Sequence, residues 1–404
     1  MDTLQKVNNI EKELNGFFVE REEEIHGLML SLLSGVNLLL IGTPGTAKSM
    51  LTESWSKTIK QSKYFGWQLH QFSTPEELFG PFSLAQLEKD KYTRITKGKL
   101  PDANVAFIDE VFKCSHGNLN ALLSILNERI FYDDGKAIDL DLLCVVGASN
   151  EIPEEGDKLE AFMDRFHLKY VVNPIVESNN FSKMLSTAKS FTPDTTITLD
   201  EILAARKSIS AIEIPEGIIS LLIDLRKKLT SIVGKDKNLS VSVSDRMFRL
   251  AINILKTEAW FAGKPTVDET SLEILKHVLW TDPKDKQKMY STLLEVVNQQ
   301  KDKIMQLFYD SQELYENLLL ERSKAKSDKA KRDLEPRMYE TCQKIRSAKT
   351  KIREYVKVME DKGRKTKDLE EVEGKMDTYL TEIYEKQMGV GADVTKWDYH
   401  EEYR

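Results

Sequence analysis

One stretch of this 404-residue chain has the spacing of a phosphate-binding loop. It lies between an apolar run and a helical segment and consists of Gly42, Thr43, Pro44, Gly45, Thr46, Ala47, Lys48 and Ser49. In such a P-loop the backbone N–H groups form a concave nest at a helix N-terminus, where the potential favours a polyphosphate. Lys48 would reach the β- and γ-phosphates, and the Ser49 hydroxyl would bind Mg²⁺. Ala47 replaces the usual glycine, and its Cβ is tolerable if the residue keeps an allowed φ/ψ.

Two adjacent carboxylates follow a second apolar run, about 60 residues after this loop. The run would form a buried strand that places Asp109 and Glu110 at its carboxyl end, where ligands of open α/β sheets bind. Asp109 would hold Mg²⁺, directly or through water, and Glu110 would polarise the attacking water. Taken singly, the two motifs could be a glycine-rich turn and a strand that ends in solvated acids. Together they indicate a site for ATP and Mg²⁺.

Three further polar residues could reach such a nucleotide. Asn150 ends an apolar run, where its amide could orient the lytic water or contact the γ-phosphate, although asparagine is also a common turn residue. Arg165 could point at the nucleotide of a neighbouring subunit, or it could be an ordinary cation at a helix C-terminus. Arg246 begins a helix after Ser244 and could reach back to the γ-phosphate, or lie at the surface of a capped helix start.

The elements that would position these residues alternate between strands and helices. Short, largely apolar runs predict strands at residues 36–41, 104–109, 142–148 and 167–172, and residues 67–72 are a plausible further strand. Helical periodicity predicts helices at residues 22–34, from residue 48, and at residues 118–129. This alternation predicts an α/β fold with a parallel five-stranded sheet and right-handed crossovers.

The composition changes twice further along the chain. Residues 1–195 form the predicted α/β nucleotide domain, and residues 196–283 read as an all-α lid with helices at 215–229, 244–261 and 267–280. From residue 284 charged residues dominate, with apolar residues three or four apart, which predicts a helical hairpin or bundle over residues 284–390. A turn is expected at residues 362–364, and residues 391–404 read as a tail.

The overall charge and composition favour a soluble, cytoplasmic protein. The formal net charge of -7 is unlike that of a generic nucleic-acid binder. Three scattered cysteines fit a reducing compartment. The longest apolar run is too short to span a bilayer, so no membrane span is expected.

One segment points to a known family. After the second predicted strand the chain reads Phe72-Ser73-Thr74-Pro75-Glu76-Glu77-Leu78-Phe79-Gly80-Pro81. This segment resembles the corresponding stretch of MoxR-type AAA+ ATPases, and most closely that of the regulatory ATPase variant A (RavA) subfamily, whose P-loop also has alanine at the position of Ala47. Supporting matches are Lys99-Leu100-Pro101, Leu126-Asn127-Glu128-Arg129, Ala148-Ser149-Asn150-Glu151, Asp164-Arg165, Ser244-Asp245-Arg246 and Leu279-Trp280. The resemblance covers residues 5–300.

The resemblance implies a ring, usually a hexamer, with ATP bound between subunits. It implies that Asn150 is sensor 1, that Arg246 is sensor 2 and that Arg165 is an arginine finger acting in trans. The insert near residues 84–98 would face the pore. Members of the family act as chaperone-like remodellers, often alongside von Willebrand factor A-domain (vWA) proteins.

One departure from the subfamily limits what can be carried over. RavA-type proteins have a β-rich domain inserted in their C-terminal helices, whereas residues 300–388 here read as helix with a single turn. We therefore expect that insert to be absent, and the partner known for it cannot be carried over to this chain. Two other functions stay open beside a ring-forming remodeller. They are a nucleotide-gated scaffold and a motor subunit of a nucleic-acid, restriction-like system, and the acidic balance makes nucleic acid the less favoured partner.

Overall fold

A computed structural model describes most of the chain, which divides into the two compact units Met1–Leu293 and Leu294–Arg404. The described residues are 2–114, 116–151, 160–186, 190–236, 239, 241, 243–325, 327, 333–361 and 366–387. None of the helices within these ranges is long and apolar enough to cross a membrane.

The first unit is built on a parallel five-stranded sheet. The strands, in chain order, are β1 Leu38–Ile41, β2 Ile59–Lys60, β3 Tyr64–Gln68, β4 Val105–Asp109, β5 Ile130–Asp133, β6 Lys136–Asp139, β7 Cys144–Ser149, β8 Leu168–Val171 and β9 Ile197–Thr198. The main sheet has the order β3-β4-β7-β1-β8, with every pair parallel. Strands β1 and β7 are buried along their whole length, as expected for a sheet covered on both faces.

Helices cover this sheet and continue into the lid region. They are α1 Thr3–Phe17, α2 Glu22–Ser34, α3 Lys48–Ser56, α4 Pro75–Phe79, α5 Leu84–Leu87, α6 His116–Glu128, α7 Glu160–Met163, α8 Ser178–Ser186, α9 Leu199–Ser210, α10 Glu216–Lys235, α11 Asp245–Phe261 and α12 Lys286–Val297. Short 3₁₀ helices span Leu100–Asp102, Val111–Lys113, Glu269–His277 and Pro283–Asp285. Helices α9 and α11 pack on α2. A parallel sheet followed by a helical lid region and C-terminal helices is thus confirmed.

Three local predictions differ from the structure. The strand predicted at residues 67–72 is β3, which ends where its partner ends because Gln68 pairs with Asp109, and Phe72 is 75% exposed. The helix predicted at residues 267–280 is a 3₁₀ helix that ends at His277. The hairpin β5–β6 was not predicted, although its turn residues Asp134 and Gly135, both at positive φ, are a typical hairpin signal.

In the described part of the second unit, the helices Gln299–Lys324, Glu335–Asp361 and Lys367–Gln387 form a bundle in which each packs on the other two. The predicted turn at residues 362–364 lies outside the described residues. The prediction of a single turn was wrong, because the first helix already ends at Lys324. The sequence accounts for the end of this helix, since residues 321–327 contain no apolar side chain larger than alanine that could pack on the rest of the bundle.

Candidate nucleotide site

The loop between β1 and α3 has the backbone shape that binds phosphate. Gly42 packs so closely on the end of β8 that a Cβ there would lie 2.2 Å from the Val172 carbonyl oxygen. Gly45 has φ +85° and open space where a Cβ would stand. Glycine is therefore needed at Gly42 to avoid a clash and at Gly45 for its left-handed backbone. The open concave side of the loop is a cradle that fits a polyphosphate.

Ala47 adopts a conformation that its residue type disfavours. Its φ is 67° and its ψ is 21°, in the left-handed region, immediately before helix α3 begins at Lys48. An L-residue with a Cβ is strained there, which explains why glycine is usual at this position. The sequence analysis required an allowed φ/ψ for Ala47. The left-handed region that it adopts is allowed, but it is less favourable than the right-handed region.

Lys48 is buried beneath the loop. Its Nζ donates hydrogen bonds to the carbonyl oxygens of Gly42 (2.6 Å) and Thr43 (3.1 Å) and to Asn150 Oδ1 (2.8 Å). Burial lowers the pKa of Lys48, whereas the negative charges of Asp109 and Glu110 oppose that shift. The ammonium group thus lies at the point where the loop, β4 and β7 converge.

The oxygens needed for a magnesium ion are close together. Ser49 Oγ lies 3.1 Å from Asp109 Oδ2, and the other carboxylate oxygen of Asp109 accepts the backbone N–H of Glu110 at 3.0 Å. A hydroxyl and a carboxylate are ligands that Mg²⁺ prefers, and it usually keeps several waters as well. These residues therefore fit the ion that the sequence implies.

Glu110 and Asn150 form a direct contact at the same edge of the sheet. The Nδ2 of Asn150 donates a hydrogen bond to Glu110 Oε1, and Lys113 Nζ lies 3.3 Å from the other oxygen of this carboxylate. Glu110 is 6% exposed and has a left-handed backbone with φ 52°. Because Asn150 also accepts from Lys48, its amide bridges the lysine of the loop to the glutamate.

Sequence reasoning missed Arg21, which supports the loop from below. This residue is 5% exposed, and its Nη2 donates to the carbonyl oxygens of Thr46 (3.3 Å) and Asn173 (2.8 Å). Its neighbour Glu20 accepts the backbone N–H groups of Val176 and Glu177. The available sequence signal was an arginine directly before a helix. Its position in the sequence does not indicate contacts with Thr46 and Asn173, which lie far along the chain.

Arg165 lies at the opposite edge of the sheet, where the strands β1 and β8 begin. It precedes β8, whose first residue Leu168 pairs with Leu38 at the start of β1, whereas the P-loop follows the end of β1. Four strand residues, roughly 13 Å, therefore separate the two edges. The Nε of Arg165 is buried and has no hydrogen-bond partner among the described residues. Arg165 therefore does not face the P-loop of its own chain.

Arg246 lies beside Arg165, which corrects the expectation that it reaches back to the nucleotide of its own chain. Its Nη2 donates a hydrogen bond to Asn127 Oδ1 near the end of α6. Burial, and next the charge of Arg165, lower the pKa of Arg246. The physical reason for the difference is that α11, which carries Arg246, packs on α2 and brings its first turn to this edge.

Other ionisable side chains lie at this second edge. A cavity of about 20 Å³, room for one water, is lined by Asp164, His167, Lys169 and Arg246 among others. Burial and the charges of neighbouring cations lower the pKa of His167 to about 3, and burial lowers that of Lys169 to about 8. Lys169, Arg165 and Arg246 therefore lie at this edge together with an uncharged His167 and the acidic Asp164.

Comparisons with known proteins agree with this architecture. A family described as the MoxR domain in the MoxR-vWA-beta-propeller ternary systems matches residues 5–212, and an AAA lid domain matches residues 217–293. An uncharacterised protein of Methanocaldococcus jannaschii is 36% identical over 318 residues, which cover 78% of this chain and 80% of that protein. A second one from the same organism is 34% identical over 326 residues, with coverages of 80% and 84%.

Two matches are more distant in sequence. A structural protein of Acidianus two-tailed virus is 28% identical over 241 residues, which cover 57% of this chain and 39% of that protein. A crystal structure from Cytophaga hutchinsonii, provisionally described as an ATPase, matches with a TM-score of 0.60 at 19% identity. It covers 73% of this chain and 95% of its own, and at that identity it supports the fold alone.

Proposed function

Because this chain belongs to the MoxR-type family of AAA+ ATPases, we propose that it binds ATP with Mg²⁺ and hydrolyses the ATP. The observation that carries this proposal is the bridge in which the Asn150 amide joins Lys48 Nζ to a Glu110 oxygen. One side chain thereby aligns a phosphate-binding cation with a carboxylate that can activate water. A strand that merely ends in solvated acids has no need of this alignment.

The proposed roles follow from where each group lies. The loop of residues 42–49 would hold the phosphates, with Lys48 at the β- and γ-phosphates, and Ser49 and Asp109 would hold Mg²⁺. When bound, this ion neutralises charge on the phosphates. Glu110 would orient and polarise the water that attacks the γ-phosphorus, as ADP leaves. Asn150 would keep that carboxylate in place.

We propose that the active site is completed by a neighbouring subunit. Arg165 and Arg246 lie together at the edge of the sheet opposite their own P-loop. From there both can approach a nucleotide bound by another copy, where an arginine stabilises the charge of the transferring phosphoryl group. This supports a ring, a hexamer by analogy with the family, in which Arg246 as well as Arg165 acts in trans.

We further propose that the protein remodels a protein partner in the cytoplasm, most like the RavA subfamily. The matching family is defined from systems that combine a MoxR domain with a vWA protein and a β-propeller, so a vWA protein is the favoured partner. We assign the nucleotide domain to residues 1–195, the lid to 196–283 and the C-terminal helical domain to 284–390, followed by the tail of residues 391–404.

Two substitutions should separate binding from hydrolysis. Glu110→Gln keeps the shape of the side chain but removes the carboxylate, so ATP affinity should persist while turnover falls on the order of 10²-fold. Lys48→Ala should instead weaken nucleotide binding, measured by titration with a fluorescent ATP analogue. Glu88→Gln, at an exposed position, is the matched control and should leave both quantities unchanged. Turnover by Glu110→Gln at the parental rate would rule out the proposed role of that residue.

A further inference from the structure

We infer that Asn37 is a positioning residue that fixes the turn carrying Arg165. This inference rests on the proposed function, because it concerns how that arginine is presented to a neighbouring nucleotide. Asn37 directly precedes β1 and is 2% exposed. It therefore lies at the same edge of the sheet as Arg165, while the strand that follows it leads to the P-loop.

The side-chain amide of Asn37 uses all of its hydrogen-bonding capacity. Its Nδ2 donates to the carbonyl oxygens of Leu126 and Arg165, each at 3.0 Å. Its Oδ1 accepts from Arg129 Nη2 at 2.7 Å and from the backbone N–H of Val145 at 3.2 Å. Two donors and two acceptor sites are the full complement of an asparagine amide. A buried network satisfied in this way holds its members in one geometry.

The main chain of Asn37 holds the other end of the same turn. Its carbonyl oxygen accepts the backbone N–H groups of His167 (3.1 Å) and Leu168 (3.2 Å). Together with the side-chain bond to the Arg165 carbonyl, Asn37 clamps the segment on both sides of Phe166. This turn carries the Arg165 side chain, so the position of its backbone limits where the guanidinium can reach.

The same amide also reaches the element that holds Arg246. Arg129, which donates to Asn37, binds the carbonyl oxygens of Ile125 (3.1 Å) and Leu126 (2.9 Å) at the end of α6. The next residue, Asn127, accepts from Arg246. Asn37 thus connects the supports of both arginines that we place at the shared site.

Asn37→Asp is the sharpest test because it is nearly isosteric. The new carboxylate can still accept both hydrogen bonds, and Arg129 compensates its charge. It cannot donate, so one of its oxygens would face the carbonyl oxygens of Leu126 and Arg165. The expected result is unchanged affinity for an ATP analogue with kcat lower on the order of 10²-fold, the loss that a displacement of about 1 Å can cause. Asn104→Asp is the matched control, since Asn104 precedes β4, bonds main-chain groups of Lys63 and Asp141, and lies apart from Arg165.

A mixing experiment distinguishes positioning from general damage. Asn37→Asp subunits keep an intact P-loop, so mixing them with Lys48→Ala subunits should recover activity, as is expected for the reference mixture of Arg165→Ala with Lys48→Ala. Mixing Asn37→Asp with Arg165→Ala should recover none, because both lack a working finger. Recovery in the Arg165→Ala reference but not with Asn37→Asp would overturn this inference alone. Failure of the reference would overturn the proposed function and this inference with it.

A second variant guards against a trivial loss of folding. Asn37→Ser removes the amide with less strain and should show the same split between affinity and kcat. Parental kcat in both variants, or loss of nucleotide affinity in both, would overturn the inference. Insolubility of both variants would show that the amide serves folding rather than positioning, and would overturn it as well.

Discussion

At the scale of single residues, the candidate site combines groups that the sequence predicts with backbone shapes that it does not. Lys48 could be predicted from the spacing of the P-loop. Asp109, Glu110 and Asn150 could be predicted because they follow apolar runs, and the carboxyl ends of parallel strands meet at one edge. The left-handed backbones of Ala47 and Glu110 could not be predicted, because alanine and glutamate both favour negative φ. Strained conformations of this kind concentrate at functional sites.

The strain at Ala47 leads to a prediction about stability. Ala47→Gly should relieve a left-handed conformation worth about 1–2 kcal/mol, partly offset by the greater freedom of glycine in the unfolded chain. We expect the free energy of unfolding to rise by about 0.5–1 kcal/mol. Ala211→Gly is the control, because Ala211 is exposed and has φ -78°, so glycine there should bring no gain. An equal or lower thermal midpoint for Ala47→Gly would contradict the assignment of strain.

Residues that act through distant partners were beyond sequence reasoning. Arg21 contacts a carbonyl 152 residues away, and Asn37 contacts Arg165 at a separation of 128 residues. Neither residue belongs to a spaced motif. Only the fold brings their partners to them, so a single sequence gives no pattern from which to infer either role.

At the scale of elements, largely apolar runs predicted four of the five strands of the main sheet, and the prediction for β3 overlaps the observed strand only at residues 67–68. Hydrophobicity located each strand but not its ends, because pairing with the neighbour sets where β3 stops. The positions of α1 and α11 on α2 were not predictable either. They depend on contacts between elements far apart in the chain, such as the ion pairs of His26.

His26 on α2 joins the N-terminal helix to the lid region. Its Nδ1 lies 2.9 Å from Glu11 Oε1 on α1, and its Nε2 lies 2.8 Å from Glu258 Oε2 on α11. Burial alone would lower the pKa of His26, but the hydrogen bonds with Glu11 and Glu258 outweigh it and raise the pKa to about 10. A protonated imidazole with two carboxylate partners therefore holds the three helices together at neutral pH.

The sign of the pH dependence follows from this raised pKa. Stability from His26 should be fully present below about pH 6.5 and lost as pH rises through about 10. His26→Gln should cost about 2 kcal/mol at pH 6, as expected for bonds to charged groups, and progressively less towards pH 10. Chemical denaturation at several pH values measures this difference. The control is His70→Gln, because the exposed ring of His70 accepts the backbone N–H of Phe72. A cost of His26→Gln that does not change with pH would contradict the proposed role of the protonated imidazole.

At the scale of the whole molecule, the candidate functional residues fall into two groups, one at the carboxyl ends of the strands and one at their amino ends. Lys48, Asp109, Glu110 and Asn150 meet at the carboxyl edge, and Arg165 and Arg246 meet at the other. The sequence predicted the residues of both groups but placed Arg246 with its own nucleotide. The packing of α11 on α2, which no local pattern encodes, accompanies the placement of Arg246 beside Asn127.

The most direct test of the shared active site is subunit mixing. Arg165→Ala and Lys48→Ala chains should each be nearly inactive alone, since a finger in trans contributes roughly 10³–10⁵ in rate. In mixed assemblies some interfaces pair an intact P-loop with an intact finger. ATP hydrolysis measured across mixing ratios should therefore pass through a maximum above that of either parent variant. The contradicting result is activity that stays at the level of the separate variants at every ratio, once light scattering and differential tags have shown that mixed assemblies form.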